Sequence, residues 1–212
     1  MTATPPAAST IDSSRPWLSP GGFALLDRAL ATCQLPPGAR LMDVGCGTGA
    51  AVDYLRSRHR LAAFGLDVAP PAAACLPMVR ADAEKLPIAC QQLDAVLCQC
   101  TLSLLPAPAM ALRAFRRILR PDGWLLLSDI YALDVDGIGI AAGSGQLSWP
   151  VLNQLLGQCG FVTQFWEDQT GALKYFLGQL IFECGALPAA WHAAVGGRTR
   201  RLGYFSLVAR RA

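Results

Sequence analysis

The sequence predicts an α/β fold: a mostly parallel seven-stranded sheet, helices on both faces, and an antiparallel strand pair at the C-terminal edge. Three observations predict it. Apolar strand-like runs alternate with helical ones between residues 40 and 131, the pattern of a largely parallel sheet. A glycine-rich turn joins the first strand to the helix that follows it. The last two strand-like runs are separated by an irregular helical stretch that lacks the regular crossover a parallel strand requires. The 212 residues are 53% hydrophobic and 16% charged, which excludes disorder and provides for one domain with a sizeable core.

Residues 1–16, rich in Pro, Ser, Thr and Ala, read as a flexible arm, and 17–212 as a single domain. Gly21 to Cys33 is helical, with Phe23, Leu26 and Leu30 at helical spacing, and Leu35-Pro36-Pro37-Gly38 ends it. Arg40 to Val44 is the first strand, followed by the glycine turn and the helical run Ala50 to Arg58. Further strands are Leu61 to Leu66, Met78 to Ala81, Ala95 to Cys98 and Trp124 to Ser128. Before the last of these lies an amphipathic helix with Leu112, Phe115, Ile118 and Leu119 on one face. Arg113, Arg116, Arg117 and Arg120 form a solvated opposite face, and Pro121-Asp122-Gly123 closes the helix. Leu147 to Cys159 is helical with Gly160 as its cap, and Phe161 to Trp166 alternates like a strand. A helix from Leu173 to Cys184 belongs to an insert at about 171–200, expected over the substrate side. The final strand, Gly203 to Arg210, is expected antiparallel between its neighbours.

Lys+Arg 18 against Asp+Glu 15 leaves +3, too little to predict a nucleic-acid surface. Arg198 to Arg201, Arg210 and Arg211 read as a basic surface or tail. Met1 to Ser14 has neither the basic nor the apolar region of a secretory leader, so the eight cysteines read as reduced thiols in a cytoplasmic protein. There is no Cys-x-x-Cys, and His59 and His192 are far apart, so no metal site is expected. Gly137 to Trp166 carries no charge, but Gly143, Gly145, Pro150, Asn153 and Gln154 make it a loop and helix rather than a membrane span.

In Asp43-Val44-Gly45-Cys46-Gly47-Thr48-Gly49-Ala50 the glycines allow a tight turn and close ligand approach, and the helix N-terminus offers free N–H groups. Gly45-x-Gly47-x-x-Ala50 formally fits the dinucleotide fingerprint. Asp67, 22 residues beyond Gly45, ends the second strand, where a carboxylate accepts both hydroxyls of a ribose. Together they predict a nucleoside-containing cofactor without naming it.

Four segments resemble the class I S-adenosylmethionine-dependent methyltransferases, in the branch that includes the ubiquinone and menaquinone biosynthesis type. They are Asp43 to Gly49, Gly65-Leu66-Asp67, Ala81 to Pro87, and Leu119 to Asp129, covering about residues 20–130. The resemblance implies a Rossmann-like fold and S-adenosyl-L-methionine as cofactor. On it, Asp43 and the loop of Gly45, Cys46, Gly47 and Gly49 hold the methionine part. Asp67 and Val68 hold the ribose side, and Asp82 with the Ala83 backbone the adenine edge. Cys98 to Ser103 lies beside the sulfonium methyl.

A sulfonium is already electrophilic, so the protein need only align an acceptor and exclude water. Cys98-Gln99-Cys100-Thr101 lacks the Asn/Asp-Pro-Pro-aromatic motif of base-amine methylation, and no Pro-Cys dipeptide occurs. A small-molecule acceptor is expected, without nucleic acid, for a monomer or homodimer. Cys98 to Leu104 also resembles the Ser-Asn-Cys-Val-x-Asn-Leu segment of arsenite methyltransferases, with Cys100 at the metalloid cysteine. It departs from that family in having no cysteine in Gly137 to Gly145, though Cys75 and Cys46 are substitutes. Cys100 is expected to pack rather than ligate. Trp17, Ser103 and Tyr131 are further substrate-side candidates; no catalytic residue is assigned, and Glu167 and Asp168 read as a solvated turn before they read as groups that orient or deprotonate an acceptor. An NAD-binding oxidoreductase or sensor and a non-catalytic cofactor-binding partner are the alternatives.

Overall fold

The computed structural model describes residues 19–71, 75–133, 147–188, 191 and 201–212. The expected arm, Trp17, and the parts of the uncharged stretch and of the insert at 137–146, 189–190 and 192–200 lie outside the described residues. The order is α1 (Gly22–Cys33), β1 (Arg40–Val44), α2 (Ala50–His59), β2 (Ala62–Asp67), β3 (Met78–Arg80) and β4 (Leu93–Gln99). There follow α3 (Pro108–Ile118), β5 (Leu119–Ala132), α4 (Trp149–Gln158), β6 (Phe161–Asp168), α5 (Thr170–Cys184) and β7 (Leu202–Arg211). A single 3-10 turn, Leu102–Leu104, follows β4.

The strands form one sheet in the order β3-β2-β1-β4-β5-β7-β6. The first five run parallel to their neighbours, and β7 is antiparallel to both β5 and β6, as its sequence predicted. The central parallel strands β1 and β4 are mostly apolar and buried because both sheet faces are covered. Leu41 packs with α1 and α2 through Leu26, Leu30, Val52 and Leu55. Met42 and Val44 belong to the opposite core, built on α3 and α4 through Leu112, Phe115, Ile118 and Leu156. α5 joins the α1 side, where Leu173 packs with Leu25, Ile130 and Tyr204.

Two expectations need correction. The fifth strand begins at Leu119, five residues before Trp124. Leu119 pairs with Leu93 and Trp124 with Ala95, so Arg120 to Gly123 are taken up in a bulge, with Asp122 at φ 61°. The arginine face of α3 is not simply solvated. Arg117 donates to the carbonyls of Leu86 (2.9 Å) and Ile88 (2.7 Å), and Arg120 pairs with Asp94. The Arg117 bonds fasten the irregular chain between β3 and β4, and the Arg120 pair ties the start of β5 to β4. No helix among the described residues is long and apolar enough to cross a membrane.

Candidate functional site

A cavity of about 740 Å³ opens at the carboxyl ends of β1 to β4, a size suited to a small molecule. Strand order reverses between β1 and β4, and the crevice outside such a switch point is where open α/β sheets bind ligands.

The glycine loop forms the floor. Gly45 has φ +73°, and a Cβ there would fall 2.1 Å from Thr101 Oγ1, so glycine lets the loops after β1 and β4 meet. Gly49 starts α2, and a Cβ on it would reach the end of the Met78 side chain. Gly47 has open space around its Cβ position. Asp67 ties the loop to β2: its Oδ2 accepts the Gly47 N–H and its Oδ1 the Ala69 N–H, each at 2.9 Å.

Of the expected cofactor residues, Asp43, Gly45, Cys46, Gly47, Asp67, Val68, Asp82 and Ala83 line the cavity, whereas Gly49 and Cys98 do not. Cys98 is buried in the core against α3. Asp43 is 3% exposed and has no hydrogen-bond partner among the described residues. Burial, and secondly the charge of Asp67, push its carboxyl up to about 7. Asp82 is held by the chain itself, accepting the Glu84 N–H at 2.9 Å.

The other end of the cavity is formed by Gln99, Cys100, Thr101, Leu104, Leu105 and Pro106. Its lip is apolar: Leu104 is 67% exposed. Cys100 is the expected acceptor residue that lines the cavity. It sits at φ 52°, a left-handed conformation unusual outside glycine, with its N–H on the Ser128 carbonyl at 2.8 Å. Its Sγ lies 3.2 Å from Tyr204 Oη, and burial pushes the thiol well up, away from the thiolate a soft metal would need.

Ser103 turns away from the cavity toward Asp129. Tyr131 is buried edge-on to Trp166 and Phe205. Glu167 pairs with Arg28 at 3.2 Å, and Asp168 accepts the Thr170 N–H at 2.8 Å, starting α5. Among the described residues no group of three or more His, Cys, Asp or Glu is placed to hold a metal. Sequence reasoning missed Asp129 and Tyr204, both buried behind the acceptor end. The signal for Asp129 was its place at the end of the apolar run Leu125 to Leu127, where a charge stands out.

Residues 42–127 match the family model described as a methyltransferase domain. This segment, about two fifths of the chain, belongs to the methyltransferase domain family. The match is to the domain family, not to its ubiquinone- and menaquinone-biosynthesis branch in particular. The methyltransferase segment is 34% identical over 102 residues to the fatty-acid O-methyltransferase of Mycolicibacterium smegmatis, covering 43% of this chain and 37% of that one. It is 33% identical over 103 residues to phthiotriol/phenolphthiotriol dimycocerosates methyltransferase 1 of Mycobacterium ulcerans, covering 44% and 38%. The alignments thus span little more than a third of these relatives' own length. The fold is shared with the 4+2 cyclase SpnF at TM-score 0.73 and 24% identity, over 89% of this chain and 80% of that one. It is shared too with phosphoethanolamine N-methyltransferase 2 of Haemonchus contortus in complex with S-adenosyl-L-methionine, at TM-score 0.69 and 16% identity, over 93% and 54%.

Proposed function

We propose that the chain transfers a methyl group from S-adenosyl-L-methionine to a small molecule with an apolar body, as a cytoplasmic monomer or homodimer. The carrying observation is a cavity with a buried carboxylate, Asp43, that has no partner among the described residues, under its glycine loop, and an apolar lip at its opposite end. The cofactor fits these residues. An ammonium group supplies what Asp43 lacks, and Gly47 leaves room for close approach. Asp67, already fixed by two backbone N–H groups, keeps lone pairs for ribose hydroxyls. When bound, the cofactor supplies an electrophilic methyl on a sulfonium. The protein's part is alignment and exclusion of water.

The lip of Leu104, Leu105 and Pro106 supports an apolar acceptor, in keeping with the fatty-acid and dimycocerosate specificities that the relatives' names carry. The eight cysteines stand as free thiols, which supports a reducing, cytoplasmic setting. Nothing favours the metalloid reading, because Cys100 faces Tyr204 as a thiol. The test is calorimetry with S-adenosylhomocysteine and with NAD, followed by methyl transfer to decanoate and to glycine from labelled cofactor. Homocysteine-analogue binding without NAD binding, and label in decanoate alone, is the expected result. Preference for NAD overturns the cofactor, label in glycine the acceptor class, and tight analogue binding with no transfer to either acceptor leaves a non-catalytic binder.

A further inference from the structure

We propose that Asp129, which does not line the cavity, is a positioning residue: through Ser103 it holds the Leu102–Leu104 turn that carries the acceptor-side lip. Asp129 lies on β5 and is 3% exposed. A carboxylate in such a place is unfavourable unless hydrogen bonds surround it. No cation pairs with it among the described residues. Its Oδ2 accepts the Ser103 N–H at 2.8 Å, and its Oδ1 accepts the Ser103 hydroxyl at 2.7 Å and the Ile130 N–H at 2.7 Å. Two of these three donors belong to one residue of a single helical turn. Burial still raises the carboxyl to about 6, with the Ser103 donors pulling the other way.

The turn needs such a hold. Its own backbone bonds are Leu104 N–H to Thr101 O and Leu105 N–H to Leu102 O, at 3.0 and 3.2 Å, and one isolated turn is not stable alone. Leu102 is buried beneath it, but Leu104 is largely exposed. Consecutive residues of β5 therefore fasten the segment at both ends: the Ser128 carbonyl takes the Cys100 N–H, and Asp129 takes Ser103. The cofactor end hangs on a different carboxylate, Asp67. Loss of the Asp129 bracket should loosen the acceptor lip and leave the cofactor end intact.

Assigning the lip to the acceptor rests on the proposed methyl transfer, whereas the bracket itself is measurable without any acceptor. Amide hydrogen exchange is followed at residues 103 to 105 in wild type, Ser103→Ala, Ser103→Thr and Asp129→Ala, with S-adenosylhomocysteine calorimetry alongside. Ser103→Ala should speed exchange there about tenfold, the value of one hydrogen bond to a charged group. Asp129→Ala should do so at least as much, Ser103→Thr should restore protection to within about twofold, and nucleotide-analogue affinity should stay within about twofold. If decanoate is methylated, Ser103→Ala should raise its KM. Unchanged exchange at the turn in folded Ser103→Ala, acceleration spread equally over β4 and β5, or analogue affinity lost in parallel overturns the proposal. Should Asp129→Ala fail to fold, the Ser103 pair carries the test. Failure of the wild type to bind the analogue would sink the proposed function, and the exchange rates would still decide the bracket.

Discussion

Asp43→Asn should weaken binding of S-adenosylhomocysteine and at the same time stabilise the empty protein. The two effects have one cause. Burial first, and the nearby Asp67 charge second, lift the Asp43 carboxyl from an ordinary 3.8 to about 7. A group raised in the folded state favours folding while protonated and loses that contribution as pH climbs through its folded value. Between pH 4 and pH 8 the ionising carboxylate therefore costs the empty fold up to about 4 kcal/mol, and the neutral amide avoids that cost. The cofactor's ammonium, however, needs the ionised form. At pH 8 about nine-tenths of the molecules carry it and at pH 6 about one-tenth, so the apparent Kd should rise about tenfold between them. The assay is calorimetry at pH 6, 7 and 8 in two buffers of different ionisation enthalpy, which also counts the proton released on binding. Thermal melts of the empty protein are run at each pH. A flat affinity profile in wild type, or an Asp43→Asn profile as steep as wild type, would refute the assignment of Asp43 to the ammonium. A lower melting temperature for Asp43→Asn at pH 8 would refute the stability argument.

Asp67→Ala removes the acceptor of the Gly47 and Ala69 N–H groups as well as the proposed ribose anchor, so analogue affinity should fall at least tenfold by calorimetry. Equal affinity in the variant would show that the glycine loop holds itself. Cys100→Ala should leave analogue affinity within about twofold and cost about 1 kcal/mol or less by denaturant unfolding, as small truncations do. No arsenite-dependent methyl transfer is expected from either protein; turnover present in wild type and absent in the variant would restore the metalloid reading.

The glycine loop, Asp67 and the antiparallel last strand were legible because each is a local rule: a turn that only glycine makes easily, a carboxylate at a strand end, a connection too irregular for a crossover. The bulged start of β5 was not. Leu119 looks like the last apolar residue of the preceding helix, and only its pairing with Leu93 makes it a strand residue. The roles of Glu167 and Asp168 were misplaced for the same reason. Alternation put them at the end of a strand, but β6 is the sheet edge next to β7, remote from the reversal between β1 and β4 that opens the cavity. Asp168 starts α5 and Glu167 meets Arg28 on α1, contacts that depend on where helices land and leave no trace in spacing.

Position at the switch point explains why the two ends of the cavity differ in kind. The proposed cofactor end is built from Asp43, Gly47 and Asp67, whose geometry follows from the adjacent parallel strands β1 and β2 and is fixed by the sheet. The proposed acceptor end is the chain after β4, which joins no strand and is held from behind by Ser128 and Asp129. A fold of this type can therefore keep its cofactor end while substitutions on one turn change what enters opposite it. The same fold occurs in a cyclase and in a phosphoethanolamine methyltransferase. In this chain the exposed Leu104 and the tether beneath it are where acceptor choice should be sought.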